Sequence, residues 1–215
     1  TSLSEKPCTI VDPSTTIGID IGVKTFAVCS DGREFPAQHF SKAAEKRLKH
    51  YQRELRHKTK GSANWKKVQH HIATIHAKIA NQRLDYIHKV THQLTHDSQV
   101  RTICIEDLNI EGMKRLWGRK VSDLAFSAFV SKLEQVASKY GCEIRKVDRY
   151  FASSKTCEHC GYVNKELKLS DRLWICPDCG SVLDRDLNAA KNILRQGIAS
   201  SGSPRKTKVI LRKGR

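Results

Sequence analysis

Two kinds of residue in this chain could do chemistry. Four cysteines fall in two pairs, Cys157-x2-Cys160 and Cys176-x2-Cys179, with fifteen residues between the pairs. Each CxxC turn puts two thiolates on one side of a tight knuckle, and two knuckles complete a tetrahedron around Zn²⁺. Gly161 and Gly180 each follow a second cysteine, where such a knuckle needs a permissive backbone. Four protein ligands close the coordination sphere, so this zinc would be structural. A ribbon so small buries little core, and the metal would supply its folding energy. His159, between the ligands, reads as a solvent-facing residue of the knuckle. The other cysteines, Cys8, Cys29, Cys104 and Cys142, are scattered. That usage suits a reducing cytoplasm better than a disulfide framework.

The second kind is carboxylate. In "TIGID", Ile17 and Ile19 share one face of a strand and leave Gly18 and Asp20 on the other. In "TICIED", Ile103 and Ile105 leave Cys104 and Glu106 on the opposite face. Side by side, the two strands would bring Asp20 and Glu106 together. Juxtaposed carboxylates repel unless a cation or proton compensates them. Two Mg²⁺ or Mn²⁺ ions about 4 Å apart would do so, and such pairs drive phosphodiester hydrolysis. Taken singly, Asp20 could equally start a turn and Glu106 end a strand in water. A third acid comes from "LDRDLNAAKN", where Asp184 and Asp186 bracket Arg185 before a helical run. Either aspartate could cap the helix, and a helix N-terminus also favours the ionised carboxylate that a metal needs. The local sequence leaves these roles open.

The elements that must position these groups read as an alternation of strands and helices. "TTIGIDIGVKTFAVCSDGREFPAQHF" gives three strands, with turns at Gly22-Val23-Lys24 and Asp31-Gly32. From Ser41 apolar residues recur at helical spacing, through Ala44, Leu48, Tyr51 and Leu55. After a break at "KGSANW" the pattern resumes from Val68 to Leu94, predicting an antiparallel helical hairpin over about 41–97. A strand follows over "VRTICIEDLNI". Next comes a helix from Ser122 or Asp123 to about Tyr140, stopped by Gly141, and then a strand over "CEIRKVDRYF". The last helix should run from about Asp186 to Gln196, with Gly197 beyond it. These elements describe an α/β layered domain, an order compatible with an RNase H-like core.

The chain has 215 residues and 39% hydrophobic content, enough for one domain and a small appendage. Its formal charge of +17 points to a polyanion partner, most often nucleic acid. An anionic membrane is the other common partner, but no amphipathic anchor or long apolar run accompanies the charge. Lys46, Arg47, Arg53, Arg56, Lys66 and Lys67 on the hairpin are the candidate phosphate contacts, against the plain alternative of a solvated helix face. The tail "SGSPRKTKVILRKGR" carries six basic residues and little that could pack, so disorder is expected from 199 to 215.

Together, "GIDIGVKTFAVCSDG", "IEDLNIEGM" and "SSKTCEHCG…CPDCGSVLDRDLNAAKNIL" closely resemble the TnpB (OrfB-like) family of transposon-encoded proteins. The helical stretch from Lys60 to Lys89 also looks like that family's insertion, so the resemblance covers about residues 15 to 198. It implies an RNase H-like, RuvC-type nuclease fold shared with compact type V CRISPR effectors. The core would be residues 15–152 and 183–198, with the hairpin and a ribbon over 153–182 as insertions. It maps three metal-binding acids onto Asp20, Glu106 and Asp186, leaving Asp184 as a neighbour, and a structural zinc onto Cys157, Cys160, Cys176 and Cys179. It also implies a Mg²⁺- or Mn²⁺-dependent DNA endonuclease of a prokaryotic, nucleoid-associated cytoplasm, targeted by guide RNA in full-length members. Lys24, Asn109, Arg185 and Asn188 sit in matching motifs without an assigned role. Members normally carry a substantial part before the nuclease, which here follows directly on "TSLSEKPCTIVDPS", so a truncated copy, a fragment or a catalytic half is expected. The rival readings are a non-catalytic DNA- or RNA-binding module and a strand-joining transposase.

Overall fold

In the computed structural model, which describes residues 12–96, 99–109, 112–113, 115, 118–168 and 170–200, the first strand divides the molecule into layers. β1 (Thr16–Ile21) sends Ile17, Ile19 and Ile21 to one face and Gly18 and Asp20 to the other. β2 (Thr25–Cys29) and β3 (Glu34–Pro36) continue antiparallel from it. The turn between them places Gly32 at φ 90°, a left-handed conformation that suits glycine. β4 (Thr102–Glu106) and β5 (Glu143–Val147) run parallel to β1 on its other side, giving the sheet order β3-β2-β1-β4-β5.

Parallel neighbours require crossovers, and the crossovers cover the isoleucine face. α1 (Phe40–Arg56) and α2 (Ala63–Thr95) lead from β3 to β4; α3 (Arg119–Leu124) and α4 (Phe126–Tyr140) lead from β4 to β5. The main core joins the isoleucines of β1 and β4 to Ile87, Val90 and Leu94 of α2 and to Phe126, Phe129 and Leu133 of α4. Each such side chain contributes about 1.5–3 kcal/mol by leaving water. α1 buries no residue and lies along α2 as the outer arm of a hairpin. Gly61, at φ 86°, turns the hairpin, and the Ser62 hydroxyl caps α2 by accepting from Trp65 N at 3.2 Å.

The region expected as one helix from Ser122 or Asp123 to Tyr140 is two. α3 starts at Arg119, the chain turns through Ala125 in the left-handed region (φ 52°), and α4 starts at Phe126. The break lets both Leu124 and Phe126 reach the core, where they are 4% and 1% exposed. Asp123 therefore begins no helix of its own. It is buried, accepts from Ser41 N at 3.2 Å and from Arg83 Nε at 3.0 Å, and so ties α1 and α2 to α3.

α5 (Arg185–Ala199) covers the opposite face of the sheet. A Cβ on Gly18 would lie 2.1 Å from Ala190 O, and one on Gly197 would lie 2.3 Å from Cys104 Sγ. The helix backbone thus rests directly on β1 and β4, where the strands offer glycine and cysteine. Gly197 stands inside this helix and not beyond its end, because its place faces Cys104. Past Ser200 the expected basic tail lies outside the described residues. Between β5 and α5, β6 (Leu173–Ile175) and β7 (Val182–Asp184) form a small antiparallel hairpin. Its inner face packs Trp174 and Leu183 against Leu167, Cys157 and Cys176. No described helix is long and apolar enough to cross a membrane.

Candidate active site and cysteine metal centre

The two CxxC turns face one another. The four sulfurs of Cys157, Cys160, Cys176 and Cys179 all lie within 4.8 Å of each other. Cys157 and Cys179 are 3.7 Å apart, and Cys160 and Cys176 3.5 Å. Tetrahedral bonds of about 2.3 Å to zinc give sulfur–sulfur edges of about 3.8 Å, so the donor set fits that ion. The knuckles repeat one geometry. Cys157 N donates to Tyr162 O and Gly161 N to Cys157 O; Cys176 N donates to Ser181 O and Gly180 N to Cys176 O. Gly161 and Gly180 both take positive φ, at 81° and 72°. His159 is exposed and stands outside the cluster, its Nε2 3.6 Å from Glu158 Oε1. Cys29, Cys104 and Cys142 are buried free thiols, and Cys8 lies outside the described residues.

On the α5 face, three carboxylates arrive from three elements. β1 and β4 pair in parallel with Gly18 opposite Cys104 and Ile19 opposite Ile105. Asp20 and Glu106 are the next residues of these two strands, whose neighbouring backbones in a sheet lie about 4.8 Å apart. Asp186 enters from the first turn of α5. Burial raises the Asp20 carboxyl from 3.8 to about 7, the charges of Asp186 and then Glu106 adding to the rise, while Arg185 and Arg172 oppose it. Glu106 is likewise pushed up to about 7, by burial first and by the charge of Asp107 second. Among the described residues, only the cysteines draw three or more metal-capable ligand atoms within 4.8 Å, so at least one carboxylate pair is spaced more widely.

The two aspartates of "LDRDLNAAKN" have separate duties. Asp184 is the N-cap, its Oδ1 accepting from Asp186 N at 3.0 Å and Leu187 N at 2.9 Å. Asp186 leaves the cap to it and forms an ion pair with Arg172, from the residue preceding β6. Sequence reading missed Arg172, since no local pattern links it to Asp186. It also missed the Asp107–Arg149 pair beside Glu106. Asn188 and Asn192 are each 1% exposed and bind the segment that enters the first knuckle. Their signal was available: two asparagines at i, i+4 on the buried face of an amphipathic helix need partners. Of the other motif residues, Asn109 accepts from Gly112 N at 3.0 Å, Arg185 donates to Lys168 O at 3.0 Å, and Lys24 is exposed. Lys46, Arg47, Arg53, Arg56, Lys66 and Lys67 are all exposed on the hairpin.

The family model OrfB_IS605, described as "Probable transposase", matches residues 4–116, and that of the Cas12f1-like TNB domain matches residues 126–193. A "Putative RNA-guided DNA endonuclease" of Streptomyces pristinaespiralis is 40% identical over 193 residues, spanning 88% of this chain and 47% of that protein. The "Putative RNA-guided DNA endonuclease InsQ" of Escherichia coli (strain K12) is 34% identical over 210 residues, 89% of this chain and 51% of its own length. The chain thus spans about half the length of these curated relatives. A cryo-EM structure of a CRISPR-Cas12f ternary complex superposes with a TM-score of 0.68 at 28% identity, over 86% of this chain and 39% of that one. A Cas12f1–sgRNA–target DNA complex gives 0.63 at 25% identity, over 86% and 50%. With a family model spanning more than half of it and relatives of this similarity, the chain belongs to the OrfB, or TnpB-like, family of transposon-encoded proteins.

Proposed function

We propose that this chain is the nuclease half of an RNA-guided DNA endonuclease, built on an RNase H-like, RuvC-type core. The observation that carries the reading is that Asp20 feels the charges of both Asp186 and Glu106, acids from separate elements, and is pushed up to about 7 by burial and by these two. Such a concentration of acid marks a site that a cation would relieve. Asp20, Glu106 and Asp186 would hold Mg²⁺ or Mn²⁺, hard ions that take oxygen ligands. When bound, a pair of these ions supplies an activated water and stabilises the leaving 3′ oxygen of a cleaved phosphodiester. Cys157, Cys160, Cys176 and Cys179 would hold one structural zinc as a ribbon inserted at about 153–182, with thiols kept reduced in the cytoplasm.

The partners follow from the relatives' names and from the charge. DNA is the substrate, guide RNA the selector in the complete assembly, and the exposed basic residues of the α1–α2 hairpin are offered as phosphate contacts. The description of the matching family favours a second reading, strand transfer by the same three acids. Two measurements test the proposal on the full chain. Mn²⁺ should bind, and its binding should vanish in Asp20→Asn and Glu106→Gln. Mg²⁺ should support cleavage of single-stranded DNA that both substitutions abolish. Divalent binding indifferent to both substitutions would sink the site, and joined strands in place of cut ones would favour the second reading.

A further inference from the structure

We propose that the four-cysteine ribbon positions Asp186, with Asn188 and Asn192 as the residues that transmit its hold to the first turns of α5. The inference rests on the reading of Asp186 as a metal-binding acid and adds what sets its place. Where glycine lets α5 and the sheet meet without room for a Cβ, the contacts fall at Ala190 and Leu194 over Gly18 and at Gly197 over Cys104. Asp186 lies a turn or more before them. Its own turn is held by the ribbon and the segment leading into it.

Three links make that hold. Asp184, the last residue of β7, caps the helix through Asp186 N and Leu187 N. Arg172, just before β6, pairs with the Asp186 carboxylate itself. The third link is the most buried. Asn188 Oδ1 accepts from Glu158 N at 2.9 Å, and Asn188 Nδ2 donates to Thr156 O at 2.8 Å. Asn192 Nδ2 donates to Thr156 O at 2.6 Å and to Ser153 O at 2.9 Å. Thr156 and Glu158 are the neighbours of Cys157, so the two asparagines grip the backbone on both sides of a sulfur ligand. Around them, Lys191 Nζ reaches Glu158 Oε1 at 2.6 Å and Arg195 donates to Glu158 O.

An ion bound by the four thiolates would supply the free energy that fixes the knuckle in this shape. Without that ion, the backbone groups of Thr156 and Glu158 no longer stand where Asn188 and Asn192 need them. The first turn of α5 then keeps its own helical bonds and the local Asp184 cap, a weak hold at a helix end. Linkage makes the coupling reciprocal: whatever fixes the knuckle favours the placed Asp186, and a placed Asp186 favours the knuckle.

Two measurements on the full chain test this. In the first, backbone hydrogen exchange is compared between zinc-loaded protein and protein stripped of zinc, both free of other divalent ions. Amides of residues 186–192 should lose protection on stripping, while those of β1 and β4 keep theirs. Unchanged protection in α5 would overturn the proposal, with no variant required to fold. In the second, Mn²⁺ is titrated by calorimetry into zinc-loaded wild type, Asn188→Ala and Asn192→Ala. Each substitution should weaken Mn²⁺ binding by about tenfold to a hundredfold, the range for groups that orient metal ligands. At saturating zinc the zinc content should stay unchanged, and stability should fall by about 1–3 kcal/mol for the buried groups left unpaired, with the protein still folded at the temperature of the titration. Variants that bind Mn²⁺ like wild type would also overturn the coupling. Failure of wild type to bind Mn²⁺ would instead strike the metal reading of Asp186, and the exchange result would still decide whether the ribbon holds the helix.

Discussion

Asp184 and Asp186 show how much a motif conveys and where it stops. The local sequence identified both as helix-start acids and left their roles open, and only the family resemblance set Asp186 apart; in the structure Asp184 is the cap, while Arg172, from just before β6, pairs with Asp186. With Asp184 as the cap, Asp184→Ala should cost about 1 kcal/mol, the usual value of a missing N-cap, and leave Mn²⁺ binding measurable. Asp186→Asn keeps the cap and the helix, so melting should barely change while Mg²⁺-dependent cleavage and Mn²⁺ binding collapse. The opposite assignment of effects in paired melts and cleavage assays would reverse the roles. Asp20 gives a different test, in its pH dependence. Its carboxyl stands near 7 in the metal-free fold against an ordinary 3.8. The folded state therefore holds its proton more tightly than the unfolded chain. This stabilisation is complete below about 4 and is lost as pH rises through about 7. Glu106, also near 7, acts in the same direction. Urea midpoints of metal-free wild type should fall from pH 4 to pH 8 relative to Asp20→Asn, and saturating Mg²⁺ should remove the difference. Parallel profiles for the two proteins would show that Asp20 ionises freely.

Strands and helices with a strong period were legible because their patterns are local: the isoleucine alternation of β1 and β4, and the apolar spacing of α1 and α2. What escaped depends on contact between distant segments. Nothing in the neighbourhood of Ala125 announces a left-handed turn, since alanine is the best helix former; the break exists because Leu124 and Phe126 both find the core. Asp123 reads as a helix start, yet its partners are Ser41 and Arg83 on other elements. Gly197 reads as a stop, yet it is the place where α5 meets Cys104. The small residues beside each acid were visible in sequence, and the structure supplies their reason: they let α5 lie close enough to bring Asp186 toward Asp20. Gly18→Ala tests that reason. The new Cβ would fall 2.1 Å from a backbone oxygen and 2.5 Å from a backbone nitrogen of α5, neither of which can rotate away. The helix must lift, at a cost of about 1–3 kcal/mol or more for overpacking, and Mn²⁺ affinity should fall with it. A Gly18→Ala protein with wild-type melting and Mn²⁺ binding would mean that α5 has room to spare.

Across the whole molecule, acid gathers on one face of the sheet while the net charge is +17. A strongly positive chain with three acids on one face of its sheet suits a polyanion that must be held beside cations. The hairpin is the natural place to look for that hold, because α1 buries nothing and contributes little to the core. An arm that adds so little to stability invites another explanation for its basic residues. If Lys46, Arg47, Arg53, Arg56, Lys66 and Lys67 touch phosphates, each releases condensed counterions and steepens the salt dependence of binding. Replacing all six with glutamine preserves helix propensity and leaves the chain still positive. For duplex DNA the slope of log K against log salt should become shallower by about 0.9 for each phosphate no longer neutralised, so by about 5 if all six engage. Single strands should give about 0.7 for each phosphate. Zinc content and Mn²⁺ binding should be untouched, because neither of the proposed metal sites draws a residue from the hairpin. The measurement is a fluorescence titration of the full chain with DNA across a salt series, wild type beside the sixfold variant. A fall of about 2 or more would make the hairpin a binding arm. An unchanged slope would show that its charges face only solvent, and that the phosphates are met by other basic surface.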